Sequence, residues 1–162
     1  MGREEKQKAS YQFLSAAEQK WLEADSIDYH SLVRTLRAST KDIRKYREEI
    51  KKITKNLSYK NSHFLVLGLE EILTNVMEHG YRYDGRRKIY TGFFYTKKRA
   101  IIKIADRAKP YDPTKAKHPE PMELLEKGAD GGYGNYLVKK IFYKAVYRQL
   151  SNGNLLVLFY ID

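Results

Sequence analysis

Along the first part of the chain, apolar side chains recur every three to four positions at Tyr11, Leu14, Ala17 and Trp21, which predicts a helix over residues 3–25. A short strand candidate follows at Ser31–Ala38, where Leu32 and Leu36 alternate only imperfectly with Arg34 and Arg37. Ser39 or Thr40 can cap a helix whose apolar residues Ile43, Tyr46, Ile50, Ile53 and Leu57 keep a three/four period. Turn-forming residues 58–62 lead into a second helix from Phe64 to His79, with Gly80 at the position of a helix stop. The second half reads mostly as strand. Lys88–Tyr95 and Ala100–Ala105 form a hairpin pattern around a charged turn at residues 96–99. Pro110, Pro113 and Pro119 mark an irregular loop over residues 107–119, and Pro121–Lys127 has the makings of a short helix. A glycine-rich stretch, Gly128–Gly134, opens a helix over Asn135–Tyr143. Two closing strands, Ala145–Leu150 and Leu155–Ile161, flank an Asn152-Gly153 turn. Helices followed by strands, with one late helix, predict an α+β two-layer sandwich.

Composition narrows the classes. At 162 residues the chain is one domain's worth, and its 13% aromatic content argues against disorder. With no cysteine, disulfide frameworks, thiolate zinc sites and cysteine nucleophiles are excluded. No apolar run reaches the ~18 residues of a membrane span, and MGREEKQKAS lacks the apolar core of a signal peptide, so a cytoplasmic location is the default expectation. The net charge of +11 is uneven: residues 1–30 hold four Lys/Arg against six Asp/Glu, and the rest carries the positive excess. A basic body suits an anionic partner such as a nucleotide, a nucleic acid or an acidic protein, and equally suits a merely solvated surface.

Three clusters can carry chemistry. On the second helix, EEILTNVMEHGY, at 100° per residue from Glu71, Asn75 lies at about +40° and Glu78 at about −20°. Leu65, Val66, Leu69, Ile72, Leu73, Val76 and Met77 fill the opposite arc, which should pack on a sheet, while Gly68 on the polar side leaves room for something to approach. A carboxylate and an amide oxygen one turn apart can hold a hard cation with its waters, though such a pair alone is more often a solvated helix face. In IADRAKPYDP, Asp106 ends an apolar strand, where it can accept hydrogen bonds from a ligand amine or simply begin a turn. In GADGGYG, closely spaced glycines before a helix can offer backbone N–H groups to phosphate, or form a plain flexible loop. That segment is neither a Walker loop nor a good dinucleotide fingerprint.

Taken in order, Glu-x3-Asn with a terminal His-Gly, strand-Asp-loop, then Gly-Gly-x-Gly before a helix resembles the Bergerat-fold ATPases shared by gyrase, MutL-type and histidine-kinase proteins. Within that superfamily EEILTNVMEHGY, DRAKPYDP and GGYGNYLVKKIF look most like the anti-sigma-factor serine/threonine kinases. The resemblance covers residues 31–162 and leaves 1–30 as an N-terminal helical extension. It implies a two-layer α/β sandwich of the histidine-kinase-like ATPase type with a mixed, mostly antiparallel sheet. It implies ATP and Mg²⁺ as cofactors, Asn75 as the Mg²⁺ ligand and Glu71 as general base. Asp106 matches the aspartate that recognises the adenine amine, with Ala108 in the same loop. Gly131, Gly132 and Gly134 match the glycines beneath a short lid, here residues 114–130, and His79 matches a helix-end histidine. The implied partners are a sigma factor, an antagonist protein as phosphorylation substrate, and a second copy of the chain.

This sequence departs from the family pattern in three places. Ala108 stands where glycine is usual, Asn135 where an apolar residue is common, and Tyr143 where the subfamily often has an acid. A catalytically impaired ATP-binding or protein-interaction module of the same fold therefore stays open beside the kinase. So does nucleic-acid binding through residues 82–103, which hold eight Lys/Arg against Asp84, with Tyr90, Phe93, Phe94 and Tyr95 as stacking surfaces. Aromatic strand residues are more often core than platform, which weighs against that third reading.

Overall fold

The computed structural model describes residues 10–115 and 133–162. Its helices are α1 (Ala16–Leu22), α2 (Thr40–Asn56), α3 (Ser62–Asn75) and α4 (Tyr133–Ile141). Its strands are β1 (His30–Arg37), β2 (Lys88–Tyr95), β3 (Arg99–Asp106), β4 (Lys144–Leu150) and β5 (Gly153–Ile161). The strands form one sheet in the order β1-β2-β3-β5-β4, and every pairing is antiparallel. The fold is the expected α+β arrangement. Its sheet is simpler than the mixed one anticipated, because among the described strands each neighbour runs opposite to the next.

Position in that order explains the strand sequences. Central β3 and β5 are covered on both faces and read as nearly unbroken apolar runs, whereas the edge strands β1 and β4 are largely exposed or half-buried. Alternation sorts the residues by face. Ile89, Phe93, Ile102, Ile104, Leu156, Leu158 and Tyr160 belong to a core shared with Ile43, Tyr46 and Ile50 of α2, Leu65, Leu69 and Leu73 of α3, and Val138 of α4. The apolar arc of the second helix packs as expected: Leu65, Val66, Leu69, Ile72, Leu73 and Met77 are buried, and Val76 lies against the core. The space beside Gly68 is taken by α4, since a methyl there would lie 3.6 Å from Leu137 Cβ and 3.8 Å from the Phe142 ring. Phe93 and Phe94 are buried on opposite faces and offer no stacking surface, while Tyr90 and Tyr95 are half-buried.

The opposite face is covered by the N-terminal segment. Tyr11 and Leu22, with Leu14 and Trp21 beside them, pack on Phe94, Ile101, Ala105, Leu155, Val157 and Phe159. The continuous helix expected over 3–25 is interrupted here: residues 10–12 are helical, the chain opens at 13–15, and α1 starts at Ala16. Ser15 is the reason locally. Its hydroxyl accepts from Glu18 N–H at 3.2 Å while the Glu18 carboxylate accepts from Ser15 N–H at 2.9 Å, a reciprocal cap that competes with continued helix. Lys103, in the middle of β3 and 3% exposed, supplies the tertiary reason. Its ammonium donates to Phe13 O at 3.0 Å and pairs with Glu18 at 2.7 Å, and only an opened chain presents both acceptors. Arg99 adds a clamp, donating to Trp21 O at 3.0 Å, pairing with Asp25 and lying 4.8 Å over the Trp21 ring. Residues 1–9 lie outside those described.

Removing one member of a buried pair strands the other charge, whereas replacing both by apolar groups need not cost anything. Glu18→Ala should therefore destabilise the fold by about 3–5 kcal/mol. The double change Glu18→Leu with Lys103→Met should return the urea midpoint close to that of the parent.

Candidate functional site

The antiparallel register places the last residue of β3, Asp106, directly opposite Asn154 near the start of β5. Both are 6% exposed. Asn154 Nδ2 donates to Asp106 Oδ1 at 2.8 Å, and Ala108 N–H donates to the same oxygen at 2.9 Å. Burial pushes the Asp106 carboxyl above the ordinary aspartate range, while the bonds from Asn154 and Ala108 pull it partly back. Among the described residues both donations land on Oδ1, so Oδ2 keeps its lone pairs for another donor. The turn is built around this spot. Gly153 has φ +151°, a region disfavoured for L side chains, and a Cβ on it would overlap the Asp106 carbonyl oxygen.

Asn154 also ties down the loop after β3. Its Nδ2 reaches Ala108 O at 3.2 Å and Lys109 O at 3.3 Å, while its Oδ1 accepts from Tyr147 OH at 2.6 Å and Tyr111 N–H at 3.4 Å. A second hydroxyl holds the other side of the loop, where Tyr81 OH accepts from Arg107 N–H at 2.7 Å and donates to Lys88 O at 2.8 Å.

Helix α3 forms the facing wall. It is α-helical to Asn75 and then widens into a π-helical turn, Val76–Gly80, closed by Tyr81 N–H to Val76 O at 2.9 Å. The continuous helix expected from Phe64 to His79 is thus wound differently in its last turn, and π turns of this kind recur at functional sites. Gly80 abuts Ala108: a Cβ on Gly80 would sit 2.9 Å from the Ala108 methyl. The Ala108 side chain occupies the space that the helix end leaves open.

Between these elements lies a cavity of about 430 Å³, in the range of small-molecule sites. Its apolar walls include Ile72, Val76, Ile104 and Leu156, its rim includes Pro110, Tyr111 and Pro113, and its polar groups include Asn75, His79, Asp106, Tyr147 and Asn154. Three predicted residues, Asn75, Asp106 and Ala108, therefore line one cavity. Glu71, one turn before Asn75, is half-buried but stands outside that lining. Its carboxyl is raised above the usual glutamate range, first by burial and then by repulsion from Glu70 and Glu78. Gly134 falls in the first turn of α4, while Gly131, Gly132 and residues 116–130 of the expected lid lie outside the described residues. The Pro121–Lys127 helix expected there falls outside them as well. Tyr143 is not among the residues lining the cavity; it is exposed and stacked 6.3 Å from Trp21.

A family profile described as "Histidine kinase-like ATPase domain" matches residues 35–160. The chain belongs to the histidine kinase-like ATPase domain family. Two curated relatives are similar to it. One, named "Serine-protein kinase RsbW", from Oceanobacillus iheyensis, is 32% identical over 90 residues, covering 52% of this chain and 56% of its own length. Another, named "Serine/threonine-protein kinase BtrW", from Bordetella bronchiseptica, is 28% identical over 94 residues, covering 58% of this chain and 66% of its own length. The aligned part thus spans between half and two thirds of these relatives. The membership of the histidine kinase-like ATPase domain family begins within β1, so α1 and the segment before it lie ahead of the matched region.

Asn154 and Tyr147 were missed by the sequence reading. Asn152-Gly153 carries a strong turn signal, and it hid the next residue, whose polarity on an otherwise apolar strand (Asn154, then Leu155–Ile161) was the available clue. Gly153→Ala tests the geometry of this corner. It should destabilise the protein by about 1–3 kcal/mol through backbone strain and displace Asp106, read as a lowered denaturant midpoint and shifted amide resonances for residues 106–111.

Proposed function

We propose that the chain binds ATP with Mg²⁺ in this cavity, transfers the terminal phosphate to a serine or threonine of an antagonist protein, and acts as an anti-sigma factor when that antagonist is absent. One observation carries the reading: an apolar slot ends on a buried carboxylate with a free acceptor oxygen, beside an asparagine on the facing helix. The donor set fits the nucleotide. A flat purine suits walls of Ile72, Val76, Ile104 and Leu156, and its 6-amino group supplies the donor that Asp106 Oδ2 lacks. No cluster of three acidic or histidine side chains that could hold a metal by itself occurs among the described residues. Asn75 contributes one amide oxygen, which suits a Mg²⁺ ion otherwise held by phosphates and water. The bound nucleotide supplies an activated phosphoryl group.

In this reading Asn75 holds the cation, Asp106 orients the base, and Gly131, Gly132 and Gly134 give backbone donors to the phosphates. Glu71 receives the proton of the incoming hydroxyl, and its raised pKa brings a carboxylate closer to the working pH of a base. The partners are the antagonist protein, a sigma factor and a second copy of the chain, and the setting is the cytoplasm. The names of both relatives, each a serine or serine/threonine protein kinase, support the phosphoacceptor class.

The position of Glu71 outside the cavity's lining favours a second reading, in which the same fold binds nucleotide or partner protein without transfer. A single assay separates them: γ-phosphate transfer from ATP to antagonist proteins of the same organism. Under the kinase reading Glu71→Gln keeps ATP affinity and loses transfer by about 10²–10⁴-fold, while Asn75→Ala loses the Mg²⁺-dependent part of binding. Full transfer by the Glu71→Gln protein sinks the general-base role, and absence of transfer by the parent chain with every antagonist leaves the binding module standing.

The pH profile gives an independent check. A general base works when deprotonated, so transfer must fall as the pH drops through the Glu71 pKa. Because burial, Glu70 and Glu78 raise that pKa, the acid limb should lie above the usual glutamate value of about 4.3. Glu70→Gln removes one repulsion and should move the limb downward.

A further inference from the structure

We propose that Asn154 is a positioning residue that sets the base selectivity of the cavity, presenting Asp106 to a 6-amino purine and excluding a 6-oxo purine. The inference rests on the nucleotide reading above and deepens it. The amide is fixed on both ends. Nδ2 faces three acceptors, Asp106 Oδ1, Ala108 O and Lys109 O, and Oδ1 faces two donors, Tyr147 OH and Tyr111 N–H. A flipped amide would set oxygen against three oxygens, so the orientation is determined by its surroundings. With Asn154 and Ala108 both donating to Oδ1, Oδ2 is the acceptor left for a ligand. A 6-amino group answers that oxygen, whereas a 6-oxo group sets a carbonyl against a carboxylate and leaves both buried acceptors unpaired. The same amide holds the backbone of residues 108–111 at the cavity rim, so one side chain governs both the floor and the edge of the base slot.

The substitution that isolates this role is Asn154→Asp, which keeps the shape and replaces the donor by a carboxyl. Two carboxyls that close cannot both ionise, and one holds a proton it can donate. Binding of Mg²⁺-ATP and Mg²⁺-inosine triphosphate to the intact chain is measured by calorimetry, alongside carbon-13 titration of the aspartate carboxyls, with Asp106→Asn to assign the resonance. Parent protein should prefer ATP by roughly 10- to 100-fold. Asn154→Asp should erase or invert that preference, and Asn154→Ser, which retains a hydroxyl donor, should restore part of it. Asn154→Ala should raise the pH at which Asp106 titrates, because a donor to the charged form is gone. The titratable or charged groups around it among the described residues include Tyr81, Tyr111, Asp112, Tyr147, His79 and Lys109, and Tyr81 and Tyr147 are themselves held above their ordinary range. An unchanged preference in Asn154→Asp, or an unchanged Asp106 titration in Asn154→Ala, overturns the proposal. If the parent binds neither nucleotide, the nucleotide reading and the selectivity role fall together. The carboxyl titration then still reports whether Asn154 positions Asp106.

Discussion

A carboxylate at the buried end of a central strand must be given hydrogen bonds or be neutralised, and much of this molecule's architecture follows from how Asp106 is served. The helix-facing side of β3 is otherwise Ala100, Ile102 and Ile104, so nothing on its own strand can do it. The solution comes from across the sheet and from just downstream. Asn154 reaches over from β5, and the backbone of Ala108 folds back. For β5 to begin that close, the preceding turn must lie against the Asp106 carbonyl, which leaves no room for a side chain at position 153. The loop after β3 is then shaped by the amide that secures the carboxylate. Strand order, turn residue and cavity rim are thus linked through one charge.

The same strand buries a second charge on its other face, and the two are handled differently. Lys103 is neutralised by a carboxylate and capped by a backbone carbonyl, both from a segment preceding the family domain. Among the described residues Asp106 has no cation as a hydrogen-bond partner; it is held by neutral donors, both on one oxygen. Pairing makes a buried charge inert, and neutral hydrogen bonding leaves it reactive. That contrast separates a paired group from a candidate ligand-binding one on a single strand, with two residues between them.

Elements whose cause is local were legible in the sequence. The strand over Lys88–Tyr95 and helix α2, behind its Ser39 cap, lie within a residue or two of their expected bounds, because alternation and capping act over a few residues. The gathering of Asn75, Asp106 and Ala108 could be anticipated only through motif order, since each residue alone looked like an ordinary helix face or turn. What escaped was non-local. The break at residues 13–15 answers a lysine ninety residues away, the π turn answers the loop it abuts, and Asn154 matters only because antiparallel register sets it opposite Asp106. Periodicity cannot report on partners it does not contain.

The alanine at position 108 shows how a departure from a family pattern should be weighed in three dimensions. Along the chain, an extra methyl two residues after Asp106 threatens to crowd the cavity. In space that methyl lies against Gly80, the residue where the π turn ends and which has no side chain to meet it. The two positions share a fixed volume, and the sequence divides it as methyl on the loop and hydrogen on the helix. The reverse division would fill the same gap. A methyl on both sides would push the helix end from the loop, since 2.9 Å is closer than two carbons tolerate. Ala108 therefore acts first as a spacer between α3 and the loop that Asn154 secures, and the Asp106 oxygen remains open to a ligand beside it.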